Sequence, residues 1–163
     1  MAKVVAKKQT TDNPVAQRLY KIPIYKIEMV REGAISVERK RIGSPQDVFN
    51  AVHEFLKDAD REYFLILTLN TKNNITGVNV VSIGSLSSSL VHPREVFKAA
   101  VLSNAAAIIL VHNHPSLDPT PSPEDFEITR RLVEAGKILG IEVLDHVIIG
   151  DHWVSLKERG CIV

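Results

Sequence analysis

The chain has 163 residues, 45% hydrophobic and 24% charged, with a formal net charge of +1. That length fits one ordinary domain with a substantial core, and the balance is globular rather than disordered. Near-neutral charge excludes a strong whole-chain pull on nucleic acid or membrane; a single cysteine, Cys161, excludes an internal disulfide framework and any cysteine-rich zinc finger.

Residues 1–20 are polar and basic with no sustained period, and read as a flexible tail before a domain over 21–163. The start lacks the apolar stretch and cleavage site of a secretory signal, and the longest apolar run, Ala105 to Val111, is far short of a membrane span. With the lone thiol, these features predict a cytoplasmic, non-membrane protein. From Ile22 to Val37 apolar residues recur near period two (Ile22, Ile24, Ile27, Met29, Ile35, Val37) around Glu32-Gly33, which predicts a hairpin. Ser44-Pro45 then starts a helix, with Ser44 as N-cap and Val48, Val52, Phe55 and Leu56 as its apolar stripe.

Two strands are expected over Tyr63–Leu69 and Ile75–Ile83, turning at Lys72-Asn73-Asn74; the first is almost continuously apolar, as suits a strand covered on both faces. A Ser-rich loop over 84–90 leads to a second helix opened by His92-Pro93, with Val96, Phe97, Ala100 and Val101 inward. Ala106 to Val111 forms the next strand, ending at His112. Pro115, Pro119, Pro121 and Pro123 stiffen the loop that follows. Ser122-Pro123-Glu124-Asp125 starts a third helix, with Ile128, Leu132, Ala135 and Leu139 on one face and Gly140 at its end. Strands over Ile141–Ile149 and Trp153–Leu156 close the chain. The alternation predicts a single α/β domain, a mixed sheet flanked by helices.

The chemistry concentrates in VHNHPSLDPTPSPED, residues 111–125. On an extended strand His112 and His114 point the same way and Asn113 the other. The loop returns to a helix whose first turn carries Asp125. Taken singly, the histidines read as polar residues at a strand end, and Asp125 as half of a capping box with Ser122. Together they form a set of two imidazoles and a carboxylate that suits one zinc ion and leaves a fourth position for water. The tripeptide His112-Asn113-His114 is not the scattered motif of the HNH nucleases. The Cys-x-x-Cys pair of zinc deaminases and the H-E-x-x-H helix motif are both absent.

The spacing of His112, His114, Ser122 and Asp125 resembles the metal motif of the JAMM (MPN+) metalloprotease superfamily. REYFLILTLNTKN, HPREVFKAAVLSNAAAIILVHNHPS, PSPEDFEITRRL and LGIEVLDHVIIG resemble the bacterial RadC family, over roughly residues 22–160. The resemblance implies a JAMM/MPN+ (cytidine-deaminase-like) architecture, here without the N-terminal helix-hairpin-helix-like module that RadC proteins often carry. It also implies one Zn2+ per chain and metal-assisted hydrolysis of a peptide or isopeptide. Glu62 would be the general base, with Glu95 as the competing candidate, and Ser122 would steady the oxyanion. Where the RadC loop commonly has glycine after HNHPS, this chain has Leu117; the expected consequence is a changed loop conformation. Asp145-His146 reads as a buried structural pair, with orientation of a ligand histidine as the alternative.

Two other functions compete. One is a DNA-repair or mobile-element accessory role, binding nucleic acid without cleaving a peptide; no dense Lys/Arg face supports it beyond the tail and clusters such as Glu38-Arg39-Lys40-Arg41. The other is a catalytically silent scaffold, against which the intact metal motif argues. Neither the identity of the substrate nor the oligomeric state is written in the sequence.

Overall fold

Capping chemistry sets where the helices begin. In the computed structural model, which describes residues 20–84 and 91–162, Ser44 caps helix α1 (Pro45–Leu56). Helix α2 (Pro93–Leu102) is capped by His92, whose Nδ1 accepts the Arg94 N–H at 3.2 Å. Ser122 caps helix α3 (Pro123–Leu139). The two serines form reciprocal boxes with Asp47 and Asp125, and all three helices start with proline, whose missing N–H is not needed there. Gly140, with φ at 70°, closes α3.

Strands β1 (Tyr63–Leu69), β2 (Ile75–Ile83), β3 (Ala107–Asn113), β4 (Glu142–Ile149) and β5 (Trp153–Ser155) form one sheet in the order β2-β1-β3-β4-β5. Only β3 and β4 run parallel, because α3 carries the chain back between them; the sheet is therefore mixed. Side-chain alternation sorts the core into two layers. Phe64, Ile66, Ile108 and Leu110 pack with residues of α2 and α3. Leu65, Leu67, Leu69, Ile109 and Val111 pack with residues of α1. Strands β1 and β3 are thus covered on both faces, which is why their sequences read as unbroken apolar runs.

One irregularity bears on the site. Ile108 pairs with Val143 and Ile109 with Asp145, so Leu144 is the extra residue of a bulge in β4. Val143 packs in the α2/α3 layer, whereas Leu144, Val147 and Ile149 pack in the α1 layer. The bulge resets the alternation, so His146 returns to the face that Val143 occupies.

The hairpin expected over Ile22–Val37 is not formed. Residues 20–40 contain no strand, and Ile22, Ile24, Ile27 and Met29 are exposed. A period-two pattern makes a strand only where a neighbour takes up its backbone groups and a layer its side chains. Here Val37 reaches the edge of the α1 layer, and an isolated bridge forms only past the segment, between Arg41 and Asn74. Phe55, Val101 and Leu139, expected inward, are exposed, and Ala51 takes the inward place in α1. Strand β3 starts at Ala107 rather than Ala106 and runs one residue past the expected end at His112, to Asn113. The proposed basic tail (Tyr20 apart) and the Ser-rich loop (Gly84 apart) lie outside the described residues. Among the described residues no helix is long and apolar enough to cross a membrane.

Candidate metal centre

The carboxyl end of β3 meets the first turn of α3. The alternation that places Leu110 in the α3 layer continues to His112 and His114, and the Ser122 box turns the Asp125 carboxylate toward them. The Nε2 atoms of His112 and His114 are 3.0 Å apart. Asp125 Oδ1 lies 3.2 Å from His112 Nε2, and Oδ2 lies 3.7 Å from His114 Nε2. One ligand atom from each residue thus falls within 4.8 Å of the other two. His112 and Asp125 are buried, while the His114 side chain is 15% exposed and gives the cluster its opening to solvent.

Each ring is held from behind. His114 Nδ1 is 2.7 Å from the Asp118 carbonyl oxygen. A carbonyl only accepts, so Nδ1 carries the proton and Nε2 of the neutral ring is bare. His112 Nδ1 lies 2.8 Å from His146 Nε2, and His146 Nδ1 lies 2.5 Å from Thr129 Oγ1. Phe64 packs against both of these rings, nearly parallel to His112 and edge-on to His146.

Burial pushes His112 below the ordinary histidine value and His146 well below it, because an imidazolium loses its hydration there. His114 moves the other way: the Asp125 carboxylate that faces its ring raises it against partial burial. Burial alone would raise Asp125, but the His112 and His114 rings that face its carboxylate outweigh it and hold the carboxyl well below the usual carboxylate range. A bare Nε2 on His114 facing a carboxylate requires positive charge between them. A proton on His114 can supply it, and so can a metal ion. Two imidazole nitrogens and a carboxylate oxygen with no thiolate fit zinc or a similar divalent ion.

Around this cluster the other candidates separate. Glu62 is half-buried just before β1, its carbonyl accepts the Gly84 N–H at 2.8 Å, and its negative charge acts on both His112 and His114. Glu95 is also half-buried, but at the start of α2, where Lys98, at 2.6 Å, holds its carboxyl below its ordinary value. Asn113 is a residue that sequence reasoning passed over. From the opposite face of β3 its Oδ1 accepts the Tyr63 N–H at 2.8 Å and its Nδ2 donates to the Arg61 carbonyl at 3.1 Å, bracketing Glu62. The signal was the antiparallel register that pairs Phe64 with His112.

The Ser122 hydroxyl donates to Asp125 Oδ2 at 2.7 Å, and the Ser122 N–H meets the same oxygen at 2.7 Å, so this serine is both helix cap and carboxylate clamp. Leu117 has a left-handed φ of 65°, so the loop makes a glycine-like turn with a leucine in it. Asp145 and His146 divide their roles. The Asp145 carboxylate accepts from the Ser155 hydroxyl and from the His146 and Lys157 N–H groups, a structural post, while the His146 ring reaches His112.

Comparison with known proteins agrees with this architecture. The sequence profile described as "RadC-like JAB domain" matches residues 42–161. A UPF0758 protein of Desulfitobacterium hafniense is 59% identical over 125 residues, which is 76% of this chain and 55% of the relative. Another, of Caldanaerobacter subterraneus subsp. tengcongensis, is 55% identical over 137 residues, 82% of this chain and 59% of the relative. A third, of Methanosarcina mazei, is 47% identical over 140 residues, 85% of this chain and 61% of the relative. The chain therefore spans little more than half the length of the curated relatives it matches.

Proposed function

The chain belongs to the RadC-like JAB domain family, and from that premise we propose that it is a zinc-dependent hydrolase of amide bonds, a metallopeptidase or isopeptidase with one zinc per chain. His112, His114 and Asp125 are the proposed ligands. The observation that carries the reading is the convergence of two imidazole Nε2 atoms, 3.0 Å apart, on a buried carboxylate. When bound, zinc would polarise a substrate carbonyl and lower the pKa of a water in its open position.

The chain's own residues supply the rest. Glu62, whose charge acts on both imidazoles, is the base we assign: it accepts a proton from the attacking water and returns it to the departing amine. Asn113, bonded on either side of it, would hold that carboxylate in place. Ser122 has one hydroxyl hydrogen, which it gives to Asp125. Its oxyanion role therefore requires that hydrogen to turn away from Asp125 and toward the developing charge. A reducing cytoplasm is the proposed compartment, supported by the lone free thiol of Cys161.

Elemental analysis tests the metal directly. Wild type should carry about one zinc per chain, the number one three-ligand site holds, and a folded His112→Ala, His114→Ala double variant should carry none. Glu62→Gln should keep the metal and lose turnover of any amide substrate found. No metal in folded wild type supplied with zinc would sink the hydrolase reading.

A further inference from the structure

Behind His112 runs a buried chain of polar atoms in which the direction of every hydrogen bond is determined. Thr129 Oγ1 lies 2.6 Å from the main-chain carbonyl of Asp125. A carbonyl offers no hydrogen, so the threonine must donate its only one there. The same oxygen lies 2.5 Å from His146 Nδ1 and, its hydrogen spent, can only accept. His146 therefore carries its proton on Nδ1. His146 is fully buried and, among the described residues, no carboxylate meets its ring, so the ring carries no second proton and its Nε2 is a bare acceptor. The partner of that acceptor, at 2.8 Å, is His112 Nδ1, which must then carry the hydrogen.

We propose that Thr129 and His146 are positioning residues for the metal: their relay, anchored on the Asp125 carbonyl, locks His112 in the Nδ1–H tautomer and presents a bare Nε2 to the ion. The inference rests on the metal reading above and deepens it. The relay also ties two ligand positions together, because it ends on the main chain of Asp125, the residue whose carboxylate faces His112 Nε2 at 3.2 Å. His114 reaches the same protonation pattern separately, through the Asp118 carbonyl. Thr129, His146 and His112 are all fully buried, so water cannot substitute for a missing member without entering the core. Outer partners of this kind typically change metal affinity about 10–100-fold.

The test combines ring-nitrogen NMR of the metal-free full chain with zinc titration against a competing chelator. His112 and His146 in wild type should both show a proton on Nδ1 and a bare Nε2. Thr129→Val, which keeps the shape and removes the acceptor, should weaken zinc binding about 10–100-fold, and Thr129→Ser should recover most of the loss. A wild-type His112 protonated on Nε2 would overturn the inference even if the valine variant fails to fold. So would a folded valine variant that binds zinc as tightly as wild type. Wild type with the expected tautomers but no zinc uptake would sink the metal reading and leave the tautomer assignment standing.

Discussion

Leu117 is held in a backbone conformation that a glycine adopts freely and a leucine does not, with φ at 65°. Replacing it with glycine removes that strain, less the extra freedom glycine gives the unfolded chain. Leu117→Gly should therefore raise stability by up to about 1 kcal/mol in urea denaturation. The sequence flags this position as unusual, but the choice between a changed loop and a strained one lies elsewhere: the Asp151 N–H holds the Leu117 carbonyl at 2.8 Å. Asn113 makes the second case at this scale. Asn113→Ala would strip the partners from the Tyr63 N–H and the Arg61 carbonyl, and should cost about 1–3 kcal/mol in the same assay. Hydrogen exchange at the Tyr63 amide should accelerate with it.

Elements succeed or fail as their neighbours allow. A strand expectation fails over Ile22–Val37 but holds over Ile75–Ile83, because β1 lies alongside β2 to take up its backbone groups. The helix starts were legible because serine, proline and aspartate are local signals, whereas the β4 bulge was not, since Leu144 carries no mark that it is the extra residue. The loop between β3 and α3 depends on the end of β4 in the same nonlocal way. A Cβ on Gly150 would sit 2.2 Å from the Leu117 oxygen and 2.8 Å from Pro119 Cδ, so backbone must shift to admit it. Gly150→Ala should cost about 1–3 kcal/mol on denaturation. It should also weaken zinc binding, because Asp118, which orients His114, lies in the displaced loop.

The molecule as a whole should respond to acid through its histidines. His112 and His146 stay neutral in the fold, while in the unfolded chain they take up protons near the ordinary value of 6.5. Below that value the unfolded state binds more protons, so their contribution to stability falls as pH falls. His114, raised by Asp125, has the opposite sign: its contribution is fully present below 6.5 and is lost as pH rises through its folded value. Asp125, strongly depressed, contributes above 3.8 and loses that contribution only in stronger acid. Two buried neutral rings outweigh one raised one, so the metal-free protein should lose stability between about pH 7 and pH 5. Thermal unfolding in chelator across that range checks it; a rise in stability toward acid would mean that His114 dominates. The site itself was half legible. His112, His114 and Asp125 fall in one short stretch of chain, but Thr129 and His146 enter only through helix packing and the β4 register.

That division has a consequence for the unfolded chain. His112, His114 and Asp125 are near neighbours in sequence, so on the proposed metal reading a denatured or newly made chain would already offer a divalent ion a loose chelate. Metal bound there subtracts from the stabilisation that the ion gives the native state. His146 meets His112 only when β4 is seated beside β3. On the proposed metal reading, part of the preference of the ion for folded over unfolded chain would therefore reside in residues that need never touch it.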